Sequence, residues 1–122
     1  MKKNIIQNKS FKFAINIIEF YKILINQKEY ILSKQILRSG TSIEANIEEA
    51  IGAQSKKDFI SKLSIAYKEA RETNYWLLLL DSQNVFKKNE KLKLYLFQEI
   101  KEINQILSTI ILNTKQNMNK SS

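Results

Sequence analysis

Residues 55–82 read SKKDFISKLSIAYKEARETNYWLLLLDS, and this stretch decides the fold. Phe59, Leu63, Ala66, Ala70, Thr73, Leu77 and Leu80 recur at steps of three and four. That near-3.5-residue repeat is the seam of a helix packed in a left-handed bundle, where side chains of one helix fill gaps in the next. Ser55 followed by Asp58 resembles a capping box, with Asp in place of the usual Glu. The reading predicts a helix over about 56–82.

Working toward the N-terminus, Gly52-Ala53-Gln54-Ser55 is a turn, and a second helix is predicted over about 32–53. Its stripe is Ile36, Ser39 or Gly40, Ile43, Ile47 and Ala50. Arg38-Ser39-Gly40-Thr41-Ser42 is a poor helix former, but the stripe keeps its phase across the glycine, which argues for continuity. Small residues there let a neighbouring helix approach closely. A first helix is predicted from a Ser10 cap to about Gln27, with Ala14, Ile17, Tyr21, Leu24 and Ile25 inward. Beyond the second turn, a largely polar stretch over 82–89, a fourth helix covers about 90–113. It turns Leu92, Leu96, Ile103, Leu107 and Ile110 inward, with Ile100, Ile106 and Ile111 widening that face. Residues 1–9 and 114–122 are predicted to be flexible ends flanking one bundle over 10–113.

Helices joined by such short turns alternate in direction, so the fold class is all-α, an antiparallel up-down-up-down four-helix bundle. The whole chain agrees with that. It has 122 residues, no proline, no cysteine and only two glycines. One core fills a chain of this length, and disulfides and thiolate metal sites are excluded. No apolar run approaches the ~20 residues a membrane span needs, and no secretory leader is visible. A cytoplasmic protein is the expectation.

The chain has no histidine, which removes the commonest general base, and no glycine-rich phosphate loop. Glu69 and Glu72 at i,i+3, with Glu48 and Glu49 on the preceding helix, leave a carboxylate-only Mg²⁺ or Mn²⁺ site conceivable. Ion pairs within the bundle explain the same residues more simply. A turn near 54–55 places Arg38 level with Arg71 and Glu72, and Asn46 level with Leu63. Arg38, Asn46, Glu49, Glu69 and Glu72 are therefore read as a structural polar network. No catalysis, cofactor or metal is expected.

The formal charge is +8, distributed as +6 over residues 1–38, −2 over 39–86 and +4 over 87–122. In an up-down-up-down bundle the first and fourth helices are neighbours, so their excess charge is expected on one side. Lys12, Lys22, Lys87, Lys91 and Lys101 are the candidates for contacting a polyanion, RNA or DNA, through counterion release. A protein-interaction scaffold with incidental charge is the alternative. Tyr75, Trp76 and Leu79 lie beside the core stripe, either as an interface for self-association or, for Trp76, as further core.

The run Gln35-Ile-Leu-Arg38-Ser-Gly-Thr-Ser42-Ile43-Glu-Ala-Asn46-Ile47-Glu-Glu49-Ala50 has a wider resemblance. With Ser55–Ile60 and Ile65–Leu77, it is similar to the four-helix-bundle proteins encoded in 23S ribosomal RNA intervening sequences, over roughly residues 11–112. That family includes the accessory variability proteins of diversity-generating retroelements. Many relatives have Glu-Gly where this chain has Glu49-Ala50. The resemblance implies a barrel-like homopentamer with a positively charged surface. It also implies nucleic acid as a ligand and a reverse transcriptase as a possible partner.

Overall fold

The computed structural model describes residues 4–120. Four helices follow one another: α1 (Ile5–Asn26), α2 (Leu32–Ile51), α3 (Lys56–Asp81) and α4 (Glu90–Lys120). Each packs on its sequence neighbour and α4 closes back on α1, so the four stand at the corners of a square around one core. Among the described residues no helix is long and apolar enough to cross a membrane.

The predicted faces of α2 and α3 are those that pack. Ile36, Ser39, Gly40, Ile43, Ile47 and Ala50 are buried on α2, which runs unbroken through Gly40. Leu63, Ala66, Ala70, Thr73, Leu77 and Leu80 are buried on α3, with Phe59 half-buried at its start. Ser55 caps α3, its hydroxyl accepting from the Asp58 N–H at 3.0 Å. On α4, Leu96, Ile100, Ile103, Leu107 and Ile111 are buried, while Leu92, Ile106 and Ile110 pack half-buried at the edges.

The outer helices differ from expectation. α1 begins five residues before Ser10, capped by Asn4, whose side chain accepts from the Ile6 N–H at 2.9 Å. Ser10 lies inside the helix, buried, and its hydroxyl donates to the Ile6 carbonyl at 2.7 Å. The buried stripe is Ile6, Ser10, Phe13, Ile17, Phe20 and Leu24. Ala14, Tyr21 and Ile25, expected inward, are half-buried beside it. α1 has apolar residues nearly all round, and only its neighbours select which stripe turns in. Of the ends expected to be flexible, residues 5–9 and 114–120 are helical; 1–3 and 121–122 lie outside the described residues.

The stretch 82–89 is not merely a polar turn. Val85 and Phe86 are buried, and Phe86 stacks on Phe20 with ring centroids 4.6 Å apart. Phe97 meets Phe86 edge-on at 6.2 Å. Gln27 donates to the Val85 carbonyl at 2.9 Å, tying this loop to the α1–α2 turn. That turn ends α1 in a Schellman motif: Glu29 N–H bonds the Leu24 carbonyl and Lys28 N–H the Ile25 carbonyl, both at 2.9 Å. Lys28 sits where glycine is usual, with φ of 64°.

Two substitutions test this packing. Lys28→Gly should raise stability by about 0.5–1 kcal/mol, because a left-handed backbone conformation costs a side chain about 1–2 kcal/mol and glycine nothing comparable. Gly40→Ala should lower stability by about 1 kcal/mol despite alanine's better helix propensity. The added Cβ would stand 2.9 Å from two carbons of the fully buried Ile17. Thermal unfolding of both variants checks the pair.

Candidate nucleic-acid and self-association surfaces

α2 and α3 are bridged by hydroxyls inside and charge outside. The buried hydroxyls of Ser39 and Thr73 hydrogen-bond each other at 2.9 Å. One position before Ser39, Arg38 reaches across to Glu69 at 3.0 Å and also pairs with Glu72. Trp76 joins them, its indole N–H donating to Glu72 at 3.1 Å. Burial works against the Glu72 charge, but the bonds from Trp76 and Arg38 outweigh it and hold its pKa below the ordinary value.

The rest of the expected network lies elsewhere. Asn46 donates to the Ser42 carbonyl of its own helix at 2.8 Å, because a short amide at i+4 finds that carbonyl first. Glu49 is exposed on α2. Glu48 accepts from Gln7 of α1 at 2.9 Å. Among the described residues no group of three or more Asp or Glu is placed to share a metal ion.

The five candidate lysines are all exposed, but they do not share one face. The α1–α4 seam instead holds an ion-pair cluster that sequence reading missed: Lys9 bonds Glu99 at 3.0 Å and Glu102 at 2.6 Å. Burial opposes the Lys9 charge, yet the two carboxylates raise its pKa, and the bond from Lys9 and then one from Gln98 lower that of Glu102. Lys12 and Lys22 lie on α1, where Glu19 stands 3.5 Å from Lys22. Lys87 and Lys91 belong to the α3–α4 loop and the start of α4. Lys101 lines a groove on the opposite side of α4, between it and α3.

That groove has a volume of about 830 Å³, with Arg71 and Lys101 on its walls among Tyr67, Tyr75, Leu94 and Phe97. No carboxylate lines it. Leu94 is 65% exposed and Tyr75 56%. The three interface candidates therefore divide. Tyr75 faces this groove, Trp76 packs half-buried against the core, and Leu79 lines a crevice with Gln27, Leu32 and Val85. Across the square, α1 and α2 present a different surface. Phe11, Ile15 and Ile18 form an exposed apolar ridge, and Phe11 borders Glu44 and Glu48. Burial, and then the charge of Glu48, pushes the Glu44 carboxyl above its ordinary pKa.

Because Arg38 is half exposed, Arg38→Ala should cost only about 1 kcal/mol. Glu72 has a depressed pKa when folded, so its contribution is full above the ordinary carboxylate range and is lost as pH falls through the folded value. The gap between wild-type and Arg38→Ala melting midpoints should therefore close in acid.

Comparison with known proteins agrees with this architecture. A crystal structure at 1.70 Å of a protein of unknown function from the S23 ribosomal protein family, from Bacteroides thetaiotaomicron VPI-5482, is 49% identical. The match covers 88% of this chain and 98% of that one, with a TM-score of 0.77. No curated protein matches. Residues 2–109 match the family described as 23S rRNA-intervening sequence protein. The chain belongs to the 23S rRNA-intervening sequence protein family.

Proposed function

We infer that this protein is a non-enzymatic, oligomeric accessory protein that binds nucleic acid, with RNA as its principal ligand. The observation that carries this reading is the imbalance between surface cations and the carboxylates available to them. Among the described residues only Lys9, Lys22, Arg38 and Lys93 form ion pairs with carboxylates. Most of the other described lysines are exposed, and such charge draws in phosphates by releasing their condensed counterions. Family membership supports RNA over DNA, since the family's name ties it to an intervening sequence of ribosomal RNA. A reverse transcriptase or the intervening sequence itself is the partner that the sequence resemblance suggests.

Self-association is supported by two complementary surfaces on opposite sides of the square. The α1–α2 side offers an apolar ridge with Glu44 and Glu48 beside it. The α3–α4 side offers an apolar groove with Arg71 and Lys101. Ridge into groove between copies buries both and brings cations to carboxylates that have like-charged company. Because the two surfaces differ, the contact is head-to-tail, and such contacts close into rings when the rotation allows. A homopentamer is one such ring.

Light scattering should give a mass several-fold that of the 14.3 kDa chain. Leu94→Glu, which places a charge in the groove, should lower that mass and leave helicity intact; an unchanged mass would rule out the groove as the contact. Electrophoretic shifts with structured RNA, single-stranded DNA and duplex DNA should show binding that weakens steeply between low and moderate salt. Failure to shift any of the three would overturn the nucleic-acid reading in favour of a protein-interaction scaffold.

A further inference from the structure

The α1–α2 turn and the α3–α4 loop meet at one end of the bundle, and their construction is unusually firm for surface connections. Phe86 anchors the loop against Phe20, Val85 is buried beside it, and Gln27 bonds the Val85 carbonyl. The residues that follow these anchors are Lys28 on one segment and Lys87 and Lys88 on the other, all exposed. The bond from Gln27 to the Val85 carbonyl sets the two segments that carry these lysines side by side. Lys91, one turn further on α4, extends the group. Tyr30 follows in the same α1–α2 turn and is 53% exposed.

Two of the carboxylates at this end are already engaged. Glu29 accepts from the Ile31 and Leu32 N–H groups at the start of α2. Asp81 lies 3.1 Å from Lys93. Glu90 is exposed in the first turn of α4, where the helix dipole favours a negative charge, and it shares a crevice with Lys87. Lys28, Lys87, Lys88 and Lys91 form no ion pair among the described residues. The result is four exposed lysines without ion pairs and one exposed aromatic ring, carried by two adjoining, anchored segments and the first turn of α4. Single-stranded RNA calls for that pairing, since lysines follow the phosphates and a ring stacks on a base that is not paired.

We propose that this end of the bundle is the RNA-binding site, with Lys28, Lys87, Lys88 and Lys91 holding consecutive phosphates of an unpaired strand and Tyr30 stacking on one of its bases. This assignment rests on the nucleic-acid reading above and moves the site from the sides of α1 and α4 to their shared end. It leaves both proposed self-association surfaces uncovered. In a cyclic ring, every copy would present this end on the same rim, so the cations would form a continuous circle.

The test uses the full chain and a labelled oligouridine, with a blunt RNA duplex of equal length beside it. The triple variant Lys28→Gly, Lys87→Gln, Lys88→Gln removes three charges, and glycine suits the left-handed backbone at position 28. It should bind oligouridine at least tenfold more weakly than wild type. The slope of log affinity against log salt should become shallower by about 2, since each single-strand phosphate contact contributes roughly 0.7. Lys56→Gln, Lys57→Gln, Lys68→Gln removes as many exposed charges elsewhere and should bind more tightly than the first triple. Tyr30→Ala should weaken oligouridine binding about tenfold and leave the duplex unchanged.

Wild-type binding with equal affinity and slope in the Lys28 triple would overturn the site while leaving the nucleic-acid reading intact. A Tyr30→Ala variant that weakens both probes alike, or neither, would overturn the stacking contact. No binding by wild type to either probe would overturn this site together with the reading it rests on.

Discussion

The structure depends on how closely α1 and α3 approach α2 at one level of the bundle. Ser39 and Gly40 make this possible by placing almost no side chain on adjacent faces of α2. On one side Ile17 of α1 fills the space where a Cβ would otherwise stand, within 2.9 Å of its ideal position. On the other, the Ser39 hydroxyl meets Thr73 of α3 in the buried interior. A hydroxyl pair sealed from water must be satisfied internally, so it aligns the two helices in a way that apolar contact alone does not. Arg38 then closes the outside of the same level onto Glu69 and Glu72. Register fixed there propagates along both seams, because each helix packs through a stripe of constant phase.

That register also decides the surface. With the seams set, Phe11, Ile15 and Ile18 are left exposed on one side, as are Leu94 and Tyr75 on the far side, where Tyr75 meets only the edge of Trp76 among the aromatic rings. A four-helix square has room for one stripe from each helix. Chains as apolar as α1 and α4 carry more than one, so the surplus must face solvent or another protein. The bundle is thus two-faced, with acidic groups near one apolar surface and basic groups in the other.

Charge follows the same logic. Linear sums place the positive excess on α1 and α4, and both helices do carry exposed lysines. Packing the two helices side by side, however, brings Lys9 against Glu99 and Glu102, which neutralises much of their seam. Among the described residues, unpaired lysines remain along the helices, and a group of them stands at the bundle's end, where chain reversal gathers the turn after α1 and the loop before α4. Lys28 is some sixty positions from Lys87, Lys88 and Lys91, and only that reversal brings its segment beside theirs.

How much of this was legible in the residues themselves depended on how many stripes each helix offers. α2 and α3 have one good stripe each, Ile36 to Ala50 and Phe59 to Leu80, and those faces, the continuity through Gly40, the Ser55 cap and the Arg38 pairing were all readable. α1 offers several stripes, so its inward face, Phe13 and Phe20 included, was settled by what α2 and α4 present to it. Phe86 looked like part of a polar turn because its burial comes from Phe20, sixty-six positions away, and no local pattern records that contact. The sequence by itself determined helices, order and core seams, because periodicity is a property of neighbours three and four apart. Tertiary structure alone decided that Lys9 answers Glu99 and Glu102 and which lysines stand free, because ion pairing between helices distant in sequence depends on distance through space.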